Sequence, residues 1–434
     1  MLTTQSTPWH RPAVLTALML AAFTFNTTEN LPIGLLELIS QNLQVSPSAV
    51  GYLITGYGVT VAMASLPLAH VTRDMPRRHV LTGLLTALIV SSLVAALATS
   101  YWLLLAARLL TALAQALFWA VMGPVAVGLF PPEVRGHVVG ALSVAGSLAL
   151  VLGVPAGTWL GQQSDWPVPL VVLTGLGVIS LVTIAVLLPT SRPEEGHAAY
   201  GTNPDARRFG TVLTAGTLSA AGAFTGYTYI VKFLGEVSGF PQNTVSALFM
   251  AFGVACLAGV SITGALLDRF PHATLTTAVA TQAVGMLGLY VAGTDPAAAV
   301  VFLVLMGGAL GPVFMATQNE MLRCAPGRTD FALAANSGAY NAGIAAGAAI
   351  GGLVLPLADV RGAFLVGGLL TVGACVVLLS EWLLPAAKAA RTAKARPNTR
   401  PRTTDRGRGP ATPRTRTWRP HRSSSLKGPS RSRL

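Results

Sequence analysis

Apolar runs about twenty residues long follow one another along this chain, separated by short breaks that carry charge, glycine or proline. A bilayer core about 30 Å thick is crossed by about 20 residues of helix rising about 1.5 Å each, so every run predicts a membrane-spanning helix. Twelve spans result, at roughly 13–39, 49–70, 79–98, 101–123, 137–161, 168–188, 210–233, 243–267, 273–293, 297–318, 331–356 and 362–384. The longest central connection is polar and separates six spans from six. This predicts a first half at 1–188, a linker at 189–209, a second half at 210–385 and a tail at 386–434.

Within the spans the small residues are patterned. Gly146, Gly153, Gly157 and Gly161 in span five fall on one narrow helix face, with Pro155 in the same turn. Such a stripe lets a second helix approach at backbone distance, and the proline removes a hydrogen bond and favours a bend. Gly343, Gly347 and Gly351 repeat the fourfold spacing in span eleven. Other features recur at an offset of about 195: Val50, Leu53, Gly58 and Val59 match Val245, Leu248, Gly253 and Val254, while Gly123-Pro124 answers Gly311-Pro312. Weak repetition between two six-span halves is expected of secondary transporters, whose halves rock about a central cavity. The stripes of spans five and eleven are then expected as a matched pair at the interface between halves.

Composition adds an orientation. Only 10% of residues are charged and 52% are hydrophobic. The net charge of +13 is misleading, because residues 1–385 hold 14 Lys/Arg against 15 Asp/Glu and the tail holds 15 against one. With the N-terminus inside, the inner connections carry eleven arginines and the outer side only Lys232 and Arg361. The positive-inside rule therefore places both termini in the cytoplasm of a cell inner (plasma) membrane. The tail, rich in Arg, Pro, Thr and Ser, cannot bury a core; it suits anionic lipid headgroups and has no motif for specific nucleic-acid binding. The three cysteines fit neither a disulfide framework nor a metal site, and no phosphate-binding glycine loop is present. No cofactor, metal or enzymatic activity is expected, and the protein is expected to be a monomer.

With these features together, the chain resembles the major facilitator superfamily, in particular its twelve-helix drug:proton antiporter branch and the chloramphenicol-resistance or arabinose-efflux type permeases within it. Gly146 to Gly161, with its core Gly153-Val154-Pro155-Ala156-Gly157, is similar to the antiporter motif of the fifth helix. Thr28-Glu29-Asn30 with Gly34-Leu35-Leu36, and Arg108 followed by Ala112 and Ala116, resemble motifs of helices one and four. The cytoplasmic loop after span two, with Arg73, Asp74, Arg77 and Arg78, inverts the usual Asp-before-Arg order, and its second copy, with Asp268 and Arg269, keeps it. Glu37 and Lys232 stand where relatives commonly carry proline. The resemblance implies an all-α integral membrane protein of the major facilitator fold, with two pseudo-symmetric six-helix halves around a central cavity. It also implies proton-coupled efflux of a small, mostly apolar molecule such as chloramphenicol. A sugar or metabolite exporter and a non-transporting receptor or scaffold are the alternatives.

A charge inside a span costs about 2.5–3.5 kcal/mol on insertion scales and needs a reason. Glu29 and Arg108 reach similar depths from opposite faces and are the proton-coupling candidates: Glu29 takes up the proton and Arg108 tunes it. Asn26, Phe118, Trp119, Tyr227, Tyr229, Gln318 and Asn341 are the polar and aromatic candidates for lining a substrate cavity. Glu37, Lys232 and Glu320 read as interfacial groups near span ends.

Overall fold

The computed structural model describes residues 10–72, 75–131, 134–189, 203–267, 269–326 and 329–394. The first half begins with α1 (His10–Gly34) and its short continuation α2 (Leu36–Asn42), followed by α3 (Pro47–Val71), α4 (Arg77–Ala96) and α5 (Tyr101–Gly128). Span five is α6 (Arg135–Leu148), a π-helical turn at Ala149–Gly153 and α7 (Val154–Gln163); α8 (Val168–Leu187) completes the half. The second half repeats this plan: α9 (Ala206–Tyr227) continues as the short α10 (Ile230–Glu236), then come α11 (Gln242–Leu267), α12 (Pro271–Ala292) and α13 (Pro296–Cys324). The last element, α14 (Thr329–Lys394), is two crossings joined where Ala358 and Asp359 leave helical geometry. Among the described residues, nine helices are long and apolar enough to cross a membrane. One of these is the doubled α14, and the more polar α1 and α9 bring the crossings to twelve.

Local chemistry sets the ends and bends of these helices. Ser46, Asp205 and Asp295 each accept a backbone N–H at a helix start, so orphan donors there find a partner. In span five the π turn directly precedes Pro155, and the Val154 N–H reaches back to the Ala149 carbonyl. A π turn is one way a membrane helix absorbs a proline's missing donor.

Both glycine stripes pack inside their own half, which corrects the expectation that they meet between halves. A Cβ added at Gly153 would lie 2.1 Å from Thr27 Oγ1, at Gly157 2.6 Å from Leu31 Cδ1 and at Gly161 2.5 Å from Leu35 Cδ2. Span one thus seats side chains four residues apart in the hollows of span five. In the second half, added Cβ atoms at Gly343, Gly347 and Gly351 would lie 2.2–2.4 Å from the carbonyls of Thr217, Ala221 and Thr225 on α9. In each half the stripe faces the half's own first span: side chains of α1 fill the hollows of span five, whereas the backbone of α9 itself lies against span eleven. Replacing Gly347 with leucine should therefore remove most folded protein, because its neighbour is backbone. Gly157→Leu meets a flexible leucine tip and should cost less; size-exclusion yield in detergent measures both.

The seam between halves uses a different glycine pair. A Cβ at Gly58 of α3 would lie 2.8 Å from the Asn341 carbonyl, and one at Gly253 of α11 would lie 2.4 Å from the Leu150 carbonyl. These are the residues matched at the 195 offset, so the two halves touch through pseudo-equivalent contacts.

The core shows where the halves join. One buried cluster draws on both halves, uniting Leu31, Leu53 and Trp166 with Phe233, Phe252 and Ile344 at the end of the bundle remote from the start of α1. Toward the start of α1 the buried clusters separate, one holding Leu18, Phe118 and Leu142 and another Val212, Leu275 and Met321. Hydrogen bonds across the seam gather at the remote, or distal, end: Ser48 Oγ donates to the Gly352 carbonyl (3.1 Å), Gln162 Nε2 to the Gln242 carbonyl (2.8 Å) and Ser246 Oγ to Gln162 Oε1 (3.2 Å). The molecule is shut at its distal end.

Candidate functional site

The site grows from a proline. Pro32 lies inside α1 and has no N–H, so the carbonyl four residues back, that of Thr28, loses its helical donor. In a bilayer no water replaces it, and an unsatisfied carbonyl costs several kcal/mol. Arg108 of α5 supplies the replacement. One guanidinium nitrogen donates to the Thr28 carbonyl and the other to the Glu29 carbonyl at 2.9 Å. The planar fork of arginine suits two adjacent carbonyls. Its charge also rests 4.5 Å from the centre of the Tyr57 ring, a favourable cation–π arrangement.

The structure therefore brings Glu29 and Arg108 together, but through the backbone of Glu29. Their side chains form no salt bridge. The Glu29 carboxylate instead accepts a hydrogen bond from Gln115 Nε2, and Gln115 Oε1 accepts one from the Tyr57 hydroxyl at 2.5 Å. Three spans thus contribute one chain of groups: a carboxylate, an amide and a phenol. Gln115 and Tyr57 are not among the sequence candidates. The available signal is spacing: Gln115 lies seven residues, close to two full turns, beyond Arg108 and on the same face of α5.

Beside this chain, Asn26 Nδ2 donates to the Gly146 carbonyl at 2.9 Å, and Trp119 lies against the same glycine. Phe118 is fully buried, stacked on Phe25 with ring centres 4.4 Å apart, whereas Trp119 is partly exposed. Across the seam, the Asn341 amide nitrogen donates to the Ser337 carbonyl, while its side-chain oxygen is buried without a partner. Gln318 is half-buried on α13. Tyr227 and Tyr229 are buried in the distal core. Tyr227 stacks on Phe252, and the Tyr229 hydroxyl donates to the Ala348 carbonyl while its ring fills the space beside Gly51 and Gly352. Tyr229 is thus placed as a plug in the distal seam.

Arg73, Asp74 and Asp268 lie outside the described residues. Arg78 donates to the Ala185 carbonyl, Arg77 starts α4 and Arg269 sits over the Phe270 ring. Glu320 is not the interfacial group its position suggests: it is buried and paired with Arg208, whose guanidinium also lies 3.1 Å from His272 Nδ1. No cluster of metal-ligating side chains occurs among the described residues.

The Major Facilitator Superfamily profile matches residues 18–319 and 209–426, which together cover most of the chain. This chain belongs to the Major Facilitator Superfamily. It is accordingly a multi-pass membrane transporter of that superfamily. It is 31% identical over 383 residues to the uncharacterized MFS-type transporter YtbD of Bacillus subtilis (strain 168), spanning 86% of this chain and 95% of the relative. Two solved structures share the superfamily fold. The human organic anion transporter MFSD10 (TETRAN) matches with a TM-score of 0.62 at 17% identity, over 86% of this chain and 100% of that one. The nucleoside transporter NupG, solved as a point mutant, matches with a TM-score of 0.65 at 12% identity, over 85% of this chain and 99% of that one.

Proposed function

We propose that the protein is a proton-coupled exporter of a small, mostly apolar molecule, with an amphenicol or another antibiotic as the first substrate to test. The observation that carries the reading is Glu29. It is a carboxylate inside the membrane, hydrogen-bonded to an amide and held in no salt bridge. A carboxylate held this way can gain and lose a proton without breaking an ion pair, as an antiporter's coupling group must. Arg108 holds the backbone of the helix that presents it. Asn26, Trp119, Gln318 and Asn341 supply a few polar and aromatic groups to an otherwise apolar interior, which suits a weakly polar substrate. The bias of arginines toward one side supports cytoplasmic termini. On that orientation the distal end faces outward, and its closure corresponds to the outward-closed arm of an alternating-access cycle.

The test is substrate-dependent proton flux in liposomes. A panel of chloramphenicol, a sugar, a nucleoside and an organic anion compares the substrate classes. Glu29→Gln keeps the Gln115 contact but removes the titration. It should abolish pH-driven transport while leaving substrate binding largely intact, since glutamine is a neutral isostere of the protonated carboxyl. Full pH-driven transport by this variant would eliminate Glu29 as the coupling group.

A further inference from the structure

A small cavity lies inside the first half, between Arg108 and the distal ends of α1, α4 and α5. Its wall is mostly apolar. The polar lining comes from Thr28, Ser92, Arg108 and Thr111, and the Trp166 side chain closes another side. The cavity volume is about 20 Å³, which is room for one water-sized occupant.

Two buried polar atoms of the lining residues lack a hydrogen-bond partner: Arg108 Nε and Ser92 Oγ. Both residues are almost wholly buried, at 3% and 1% exposure. The two outer nitrogens of Arg108 donate to the Thr28 and Glu29 carbonyls, so the Nε–H is the part of the guanidinium still in need of an acceptor. Ser92 differs from other buried hydroxyls of this chain, such as Ser65 and Thr225, which donate to the carbonyl four residues back. For Ser92 that carbonyl belongs to Leu88, and it already accepts from Ser91 Oγ at 3.0 Å. Thr111 Oγ1 donates toward Ser91 Oγ (2.8 Å) and the Ala107 carbonyl (3.1 Å), which leaves its own oxygen able to accept. Unpaired donors are costly inside a membrane protein, and one cavity joins these two.

We propose that this cavity binds a single ordered water, which accepts from Arg108 Nε–H, bonds with Ser92 Oγ and donates to Thr111 Oγ1. Three polar partners are the usual complement of a buried water. A halide would find the same two donors, but burying an ion among apolar side chains costs far more than burying a neutral molecule. With the water in place all three guanidinium nitrogens have acceptors, and none is the Glu29 carboxylate, which stays with Gln115. That consequence rests on the proton-coupling reading; the water site itself does not.

The test reads the water without any transport measurement. The full chain in detergent, with a radical scavenger in the bulk solvent, receives millisecond X-ray pulses, and mass spectrometry follows oxidation of individual side chains. Radicals born from a bound water modify the side chains beside it. Trp166 should therefore be oxidised although it is buried, whereas Phe364, buried in the second half, should not. Ser92→Val removes the hydroxyl and adds apolar bulk, and should abolish the oxidation of Trp166. If that variant does not fold, the comparison of Trp166 with Phe364 in the parent decides alone. A Trp166 as unreactive as Phe364, or undiminished oxidation in monodisperse Ser92→Val protein, would overturn the site. Oxidation of Trp166 that emerges only when chloride is replaced by gluconate would identify a halide and overturn the water. None of these results touches the Glu29 reading, which is judged by proton flux.

Discussion

Replacing Arg108 with leucine should abolish transport and sharply reduce folded protein, and Pro32→Ala should partly reverse the loss. The reason is a hydrogen-bond count. Arg108 serves the carbonyls of Thr28 and Glu29, the first of which lacks a donor because residue 32 is proline. Leucine leaves that carbonyl unpaired in a medium without water, at a cost of several kcal/mol. Alanine at 32 returns the missing N–H, so the helix again satisfies Thr28 from within. In a double-mutant cycle the coupling between the two sites should lie at the upper end of the range of about 0.5–3 kcal/mol found for neighbours that share a polar contact. Thermal denaturation in detergent measures it. Arg108→Lys should rescue poorly, because an ammonium lacks the flat fork that reaches two carbonyls. The cycle also separates this role from a buried ion pair. If Arg108 acted mainly as counter-ion to the Glu29 carboxylate, Glu29→Gln would relieve the loss and Pro32→Ala would not. The geometry predicts the opposite pattern.

The contrast between residues 28–32 and the rest of span one shows what a sequence can and cannot convey. Depth along a helix follows from counting residues, so Glu29 and Arg108 are placed near each other from opposite ends of their spans. Which atoms meet depends on helix rotation and on which side chain reaches the carbonyl freed by Pro32, and neither is set by local pattern. The glycines behave similarly. Their spacing announces close backbone contact in spans five and eleven, yet α1 and α9 are not identifiable as the partners, because every span offers an apolar surface. The 195-residue offset carries more information. It relates Gly58 to Gly253, and the structure finds both at the seam in equivalent contacts. Repetition constrains long-range geometry because each copy must satisfy the same packing, whereas a single motif constrains only its own helix.

Enlarging the seam glycines should trap the transporter with its distal end open. Gly253 sits where a Cβ would approach the Leu150 carbonyl to 2.4 Å and the Val151 Cα to 2.5 Å. Both obstacles are backbone in the π turn of span five, and a turn shaped by Pro155 cannot retreat cheaply. Gly58 faces the Asn341 carbonyl at 2.8 Å and the Ala345 methyl at 3.1 Å, a similar but slightly looser fit. Because these contacts lie between halves, each half can still fold around a leucine at either position, and the penalty falls on the closed state alone. Gly253→Leu should therefore elute as intact, monodisperse protein that transports almost nothing. With Cys256, Cys324 and Cys375 replaced by alanine, a Ser48→Cys reporter at the distal seam should react with a charged methanethiosulfonate at least about tenfold faster, since about 1.4 kcal/mol against closure already shifts the population tenfold. Gly58→Leu should follow in the same direction with a smaller shift. Gly347→Leu, whose clash is inside one half, should instead lose folded protein without faster labelling of what survives. If Gly253→Leu labelled at the parent rate, the closed seam would have to tolerate a side chain where the structure leaves no room, and the assignment of this contact as the distal closure would fail. The difference between the Gly253 and Gly347 outcomes is what separates a glycine that lets two halves meet from one that lets a half exist.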